Sequence, residues 1–132
     1  MKRSGLDTNV LVRYLTRDDV KQFQTACRVI DQAQEGDKFV LGPIVLCELV
    51  WVLESAYGYD RDEIVATLEK IMTTAQFEIH EKSIVRKALD DYHHKKGDFA
   101  DYYLGHRNRA EGAHKTLTFD KALNHSELFS CI

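Results

Sequence analysis

The chain has 132 residues, of which 44% are hydrophobic and 30% charged, and a net charge of −3. That length and mix describe one globular domain with a core of its own, and no apolar run approaches the roughly 20 residues needed to span a bilayer. The acidic balance excludes a broad basic coat for nucleic acid, though not a local one, and an acid as early as Asp7 argues against a signal peptide, so the expected compartment is the cytoplasm.

In chain order, residues 3–6 read as a short strand ending at Asp7, and residues 8–15 as a short helix. Asp18-Asp19 opens a helix over about 19–35, with Phe23, Ala26, Cys27, Ile30 and Ala33 on one face, ended by Gly36-Asp37. Phe39-Val40-Leu41 reads as a buried strand. Gly42-Pro43 then starts a helix with proline at its first position, running through Ile44 to about Ala56. Gly58 breaks that helix, and Asp60 caps another over about 60–75. Residues 77–79 read as a strand, and Ser83 to Lys95 as a helix stopped by Gly97. Asp98 starts a further helix to about Glu111. Thr116–Phe119 and Leu128–Ile132 close the pattern as strands. Strands alternating with helices predict an α/β fold with a parallel sheet. Pro43 is the only proline, and with no linker, repeat or low-complexity tract the sequence shows no domain boundary.

Cys27, Cys47 and Cys131 have no paired spacing and read as core filler in a reducing compartment. The pair His93-His94 lies in a polar, Lys-rich helix end, and no His-Glu-x-x-His helix exists. Lys82, Arg86 and Lys87, then Lys95 and Lys96, then Arg107 and Arg109 form three basic clusters, each read as a solvated face ahead of a phosphate site.

Acids stand out at four places. Asp7 lies just past a strand, where open α/β sheets bind ligands, although Asp, Thr and Asn also favour helix N-caps. Glu48 stands in Ile44–Leu53, the least polar stretch of the chain, and a helix apolar nearly all round is expected to be largely interior. Its alternatives are a narrow solvent-facing stripe or a buried pair with an arginine. Asp98 and Asp101 share one side of a helix start. Capping explains Asp98 well and Asp101 less well, since Ala100, Tyr103 and Leu104 suggest a packed environment. Asp120 repeats the strand-end placement of Asp7, or is simply a turn residue. Parallel strands bring their carboxyl ends to one edge. Carboxylates gathered there repel one another unless a cation such as Mg2+ or Mn2+ lies among them. Such a site activates water against a phosphodiester. No Gly-rich phosphate loop is present.

Leu6-Asp7-Thr8-Asn9-Val10-Leu11, Glu48 in its apolar helix, Asp98-Phe99-Ala100-Asp101 and Thr118-Phe119-Asp120 stand in the order and spacing of PIN-domain ribonucleases. The compact length resembles the VapC-like toxins of type II toxin–antitoxin pairs. The resemblance implies a single PIN-like domain over residues 1–132, a three-layer α/β/α sandwich around a central parallel sheet of four to five strands. It implies a Mg2+- or Mn2+-dependent endoribonuclease, a homodimer inhibited by a VapB-like antitoxin. By motif, Asp7, Glu48, Asp101 and Asp120 would be the catalytic metal ligands. Asn9 would orient the first acid and Thr118 would support the last, with Asp98 open between cap and ligand. Arg13, Arg17, Lys95, Lys96, Arg107 and Arg109 are candidate contacts to the RNA backbone. One departure is Tyr102-Tyr103-Leu104-Gly105-His106, where relatives often carry small residues. Two alternatives remain. A haloacid-dehalogenase-like phosphatase would use Asp7 as nucleophile but wants an acid where Asn9 stands, and a non-catalytic PIN-fold binding module would leave four acids without work.

Overall fold

The computed structural model describes residues 1–132, which fall into two units, Met1–His80 and Glu81–Ile132. The first unit runs β1 (Arg3–Gly5), α1 (Thr8–Leu15), α2 (Val20–Asp31), β2 (Lys38–Leu41), α3 (Pro43–Ser55), α4 (Arg61–Thr73) and β3 (Phe77–Ile79). Its sheet has the order β1-β2-β3 with both pairs parallel, as helical crossovers between successive strands require. Gly5 lies opposite Val40, and Leu41 opposite Ile79, so the three carboxyl ends share one edge. The Leu6 amide donates to the Val40 carbonyl at 3.3 Å, carrying the ladder up to the residue before Asp7. Phe39, Leu41, Phe77 and Ile79 are buried, as are Leu11, Ile30, Leu46, Leu49, Leu53, Ile64 and Leu68 from the helices.

Two expectations for this unit need correction. α2 stops at Asp31, short of residue 35, because the Asp37 carboxylate accepts the amides of Gln34 (3.2 Å) and Lys2 (2.8 Å). Gly36, at φ 87°, turns the chain between them. α3 is not interior all round. Leu46, Leu49, Val50 and Leu53 are buried, but Ile44, Glu48, Trp51 and Ser55 form an exposed stripe on the opposite side. Ile44 is 74% and Trp51 67% exposed. Both faces of this helix carry large apolar residues, so hydrophobicity alone could not tell the buried one from the open one.

The second unit runs α5 (Lys82–His94), α6 (Phe99–Ala110), β4 (Thr116–Thr118), a short 3-10 turn (Lys121–Leu123) and β5 (Phe129–Cys131). β4 and β5 pair in parallel, Thr116 opposite Phe129. α5 packs on α6, and Tyr92 meets Phe99 edge to face at 6.3 Å. The bulky run after Asp101 is used in packing. Tyr102 is fully buried, and an ideal Cβ on Gly105 would lie 3.0 Å from Leu128, so glycine lets α6 approach that residue more closely than a side chain would. The His106 ring meets Asp91 at 2.6 Å.

The α/β alternation and the parallel pairing agree with the expected fold class, with the five strands paired as three and two. No helix is long and apolar enough to cross a membrane. The three cysteines are free and half-buried rather than core, and burial pushes the Cys47 thiol up to about 11, which keeps it unreactive.

Candidate active site

In the first unit the end of β1 becomes the start of α1 at Asp7, whose extended backbone (φ −80°, ψ 155°) makes it the N-cap. Its Oδ1 accepts the Thr8 amide at 2.7 Å, one residue nearer than an ordinary cap reaches. Thr8 is itself buried, and its hydroxyl donates to Glu48 Oε1 at 3.3 Å. One threonine thus joins the two acids, the backbone amide to Asp7 and the side chain to Glu48. Sequence reasoning missed it, although a Thr directly after a strand-end Asp is the signal that marks it. Asn9 lines the same cleft with Val12, Arg13, Val52 and Tyr57, but it is Thr8 that touches Asp7. Glu48 is exposed on the open stripe of α3, so of its two alternatives the structure shows the solvent-facing one.

In the second unit Asp98 caps α6, and Asp101 Oδ2 accepts the Asp98 amide at 3.3 Å. Asp101 is half-buried. Burial pushes its carboxyl upward, a backbone hydrogen bond from Asp98 opposes that, and the charges of Asp98 and Asp120 push it up further. Asp120 follows β4, and Thr118 Oγ1 accepts its amide at 3.0 Å. Asp120 Oδ1 accepts the Ala122 amide at 2.9 Å and so caps the short turn.

The four acids share one property. Each commits one carboxylate oxygen to a hydrogen bond and leaves the other without a hydrogen-bond partner in the chain, and none forms an ion pair. An oriented carboxylate with a free oxygen is the hard donor that Mg2+ and Mn2+ prefer. No group of three or more His, Cys, Asp or Glu side chains is placed to hold a metal ion outright. The donor chemistry fits a divalent cation, and the fit rests on the type and freedom of these oxygens.

The basic candidates divide by partner. Arg13 donates to Asp18 at 3.0 Å and to Gln22 at 2.7 Å, and Arg17 lies 4.8 Å over the Phe23 ring. Arg107 is held by Glu81 (2.9 Å) and Glu111, and Arg109 donates to the Glu127 carbonyl at 2.9 Å. Lys95 reaches Asp91 at 3.1 Å, whereas the Lys96 side chain makes no hydrogen bond or ion pair. His93 and His94 are exposed, as their polar surroundings predict.

Comparison with known proteins agrees with the motif reading. The PIN domain family model matches residues 6–127. The chain is also 27% identical over 116 residues to a VapC ribonuclease from Aquifex aeolicus (strain VF5), covering 88% of this chain and 86% of that protein.

Proposed function

The chain belongs to the PIN domain family, and we propose on that basis that it is a Mg2+- or Mn2+-dependent endoribonuclease, the toxin partner of a small VapB-like antitoxin, acting as a homodimer. The observation that carries the reading is the family match over residues 6–127, which takes in Asp7, Glu48, Asp101 and Asp120 together. The Aquifex aeolicus relative is a VapC ribonuclease, and Asn9 occupies the position where a phosphatase of the alternative type wants its second acid, so that alternative is not carried forward.

In this reading, which the motif resemblance supports, Asp7, Glu48, Asp101 and Asp120 would hold the cation through their free oxygens. Thr8 keeps Asp7 and Glu48 aimed, and Thr118 does the same for the backbone of Asp120. Asp98 remains the cap that starts α6. A divalent cation, when bound, supplies a polarised water as nucleophile and neutralises charge on the leaving oxygen. Burial and neighbouring acids disfavour the Asp101 anion, so that carboxylate gains from a positive charge nearby. The exposed Ile44 and Trp51 on α3 offer apolar surface of the kind that protein partners cover.

Cleavage-site mapping on total RNA tests the reading. The expected result is internal cuts in Mg2+ or Mn2+, none in EDTA and none with Asp7→Ala. Undiminished cleavage by Asp7→Ala overturns the four-acid site. Wild-type protein that binds a partner but cuts no RNA in either metal favours the non-catalytic module.

A further inference from the structure

One cleft of the second unit, about 560 Å3, is lined almost wholly by cationic and polar side chains that the catalytic reading leaves unused. His94, Lys95 and Lys96 reach it from the end of α5. Lys121, Asn124 and His125 reach it from the turn after β4. A solvated helix end explains part of this. His94 lies 3.5 Å from Asp90 and Lys95 lies 3.1 Å from Asp91, and cations suit a helix C-terminus. It does not explain Lys96 and Lys121, whose side chains have neither ion pair nor hydrogen bond.

The two lysines are not brought together by loose loops. Gly97, next to Lys96, has φ 112°, and an ideal Cβ there would sit 2.9 Å from both Leu123 Cδ2 and the Tyr102 hydroxyl. Leu123 is buried, and the same Tyr102 hydroxyl meets His125 Nε2 at 3.3 Å. The backbone of one basic segment is therefore seated on the side chains that anchor the other. Positive groups fixed side by side repel one another unless an anion sits between them. Asp120, one of the candidate catalytic acids, directly precedes Lys121 and caps its turn. An anion held in this cleft lies beside Asp120 rather than on a remote surface of the unit.

We propose that this cleft binds adjacent backbone phosphates of the RNA strand next to the cleaved bond, with Lys96 and Lys121 as the principal contacts. The proposal rests on the ribonuclease reading for the identity of the anion, and on the geometry of Gly97, Leu123 and Tyr102 for the site. Lys96 was an expected contact from its sequence cluster. Lys121 and His125 were invisible there, because only the seat of Gly97 joins them to it.

The test measures binding of a short, uncleavable 2′-O-methyl RNA by fluorescence anisotropy over a range of KCl concentrations. Lys96→Ala/Lys121→Ala is compared with Lys70→Ala/Lys87→Ala, which removes the same charge from helix positions outside the cleft. The expected result is a salt slope shallower by about 1.4 in the cleft variant only, at about 0.7 per single-strand phosphate contact. In cleavage assays its KM rises several-fold with kcat retained. Equal slopes and equal KM for the two variants overturn the proposal while leaving the ribonuclease reading intact. A shallower slope in a protein that cuts no RNA upholds the phosphate cleft and overturns the ribonuclease reading. Binding of a poly-aspartate peptide that depends on these lysines, with the RNA slope unchanged, assigns the cleft to an acidic protein segment instead and overturns the proposal.

Discussion

Thr8 is the group on which the first half of the proposed site depends, since it hydrogen-bonds both Asp7 and Glu48. Thr8→Val keeps the shape and the backbone amide but removes the hydroxyl. Loss of one such hydrogen bond is worth about 1 kcal/mol, so cleavage falls roughly five- to tenfold, and Thr8→Ser restores most of it. Steady-state kinetics on a defined RNA read both. Asp18 gives the chain a pH signature apart from the proposed catalytic acids. The Tyr57 hydroxyl at 2.6 Å holds its carboxyl below the usual range, with smaller help from Thr16 and Arg13. A depressed folded-state value means the stabilisation is full above the ordinary carboxylate range and is lost as pH falls through the depressed value. Thermal melts of wild type fall more steeply below about pH 4 than those of Asp18→Asn, which is less stable at neutral pH and flatter in acid. Strand-end acids were legible in the sequence because an acid after an apolar run is a local signal. The roles of Thr8 and Tyr57 were not, because each acts through a partner roughly 40 positions away along the chain.

At the scale of elements, most boundaries follow from short-range chemistry. Asp60 and Glu63 form a reciprocal capping box on α4, and the sequence placed that cap correctly. Asp60→Ala costs about 1 kcal/mol, measured by urea unfolding. Gly105 sits inside α6, where alanine would ordinarily be the better helix former by roughly 1 kcal/mol. Here the new Cβ meets the Leu128 side chain at 3.0 Å and Phe129 at 3.1 Å. Overpacking of about 1–3 kcal/mol then exceeds the helix gain, and Gly105→Ala lowers the urea midpoint instead of raising it. α3 shows the limit of pattern reading. Its composition says that it is apolar, but which of two apolar stripes is buried depends on what packs against Leu46, Leu49 and Leu53. The early end of α2 has the same kind of cause, a carboxylate from Asp37 capturing an amide the helix would have used.

For the molecule as a whole, the proposed cation would tie stability to activity. Bound to the folded chain alone, Mg2+ at ten times its Kd stabilises by about 1.4 kcal/mol, so the wild-type Tm rises with added Mg2+. Asp101→Asn removes a half-buried charge together with a proposed ligand. It keeps or raises the metal-free Tm, loses the Mg2+ response, and loses cleavage, a combination that a purely structural Asp101 would not give. By itself the sequence determined the α/β class, the order of the elements and the places of the acids at strand and helix ends, because strand ends, caps and hydrophobic periods are written within a few residues of one another. Only the tertiary structure decided that Thr8 joins Asp7 to Glu48, that Glu48 faces outward, and that Gly97 seats Lys96 beside Lys121. Those facts are contacts between segments distant in the chain, set by which side chains fill the space between elements, and no local pattern encodes them.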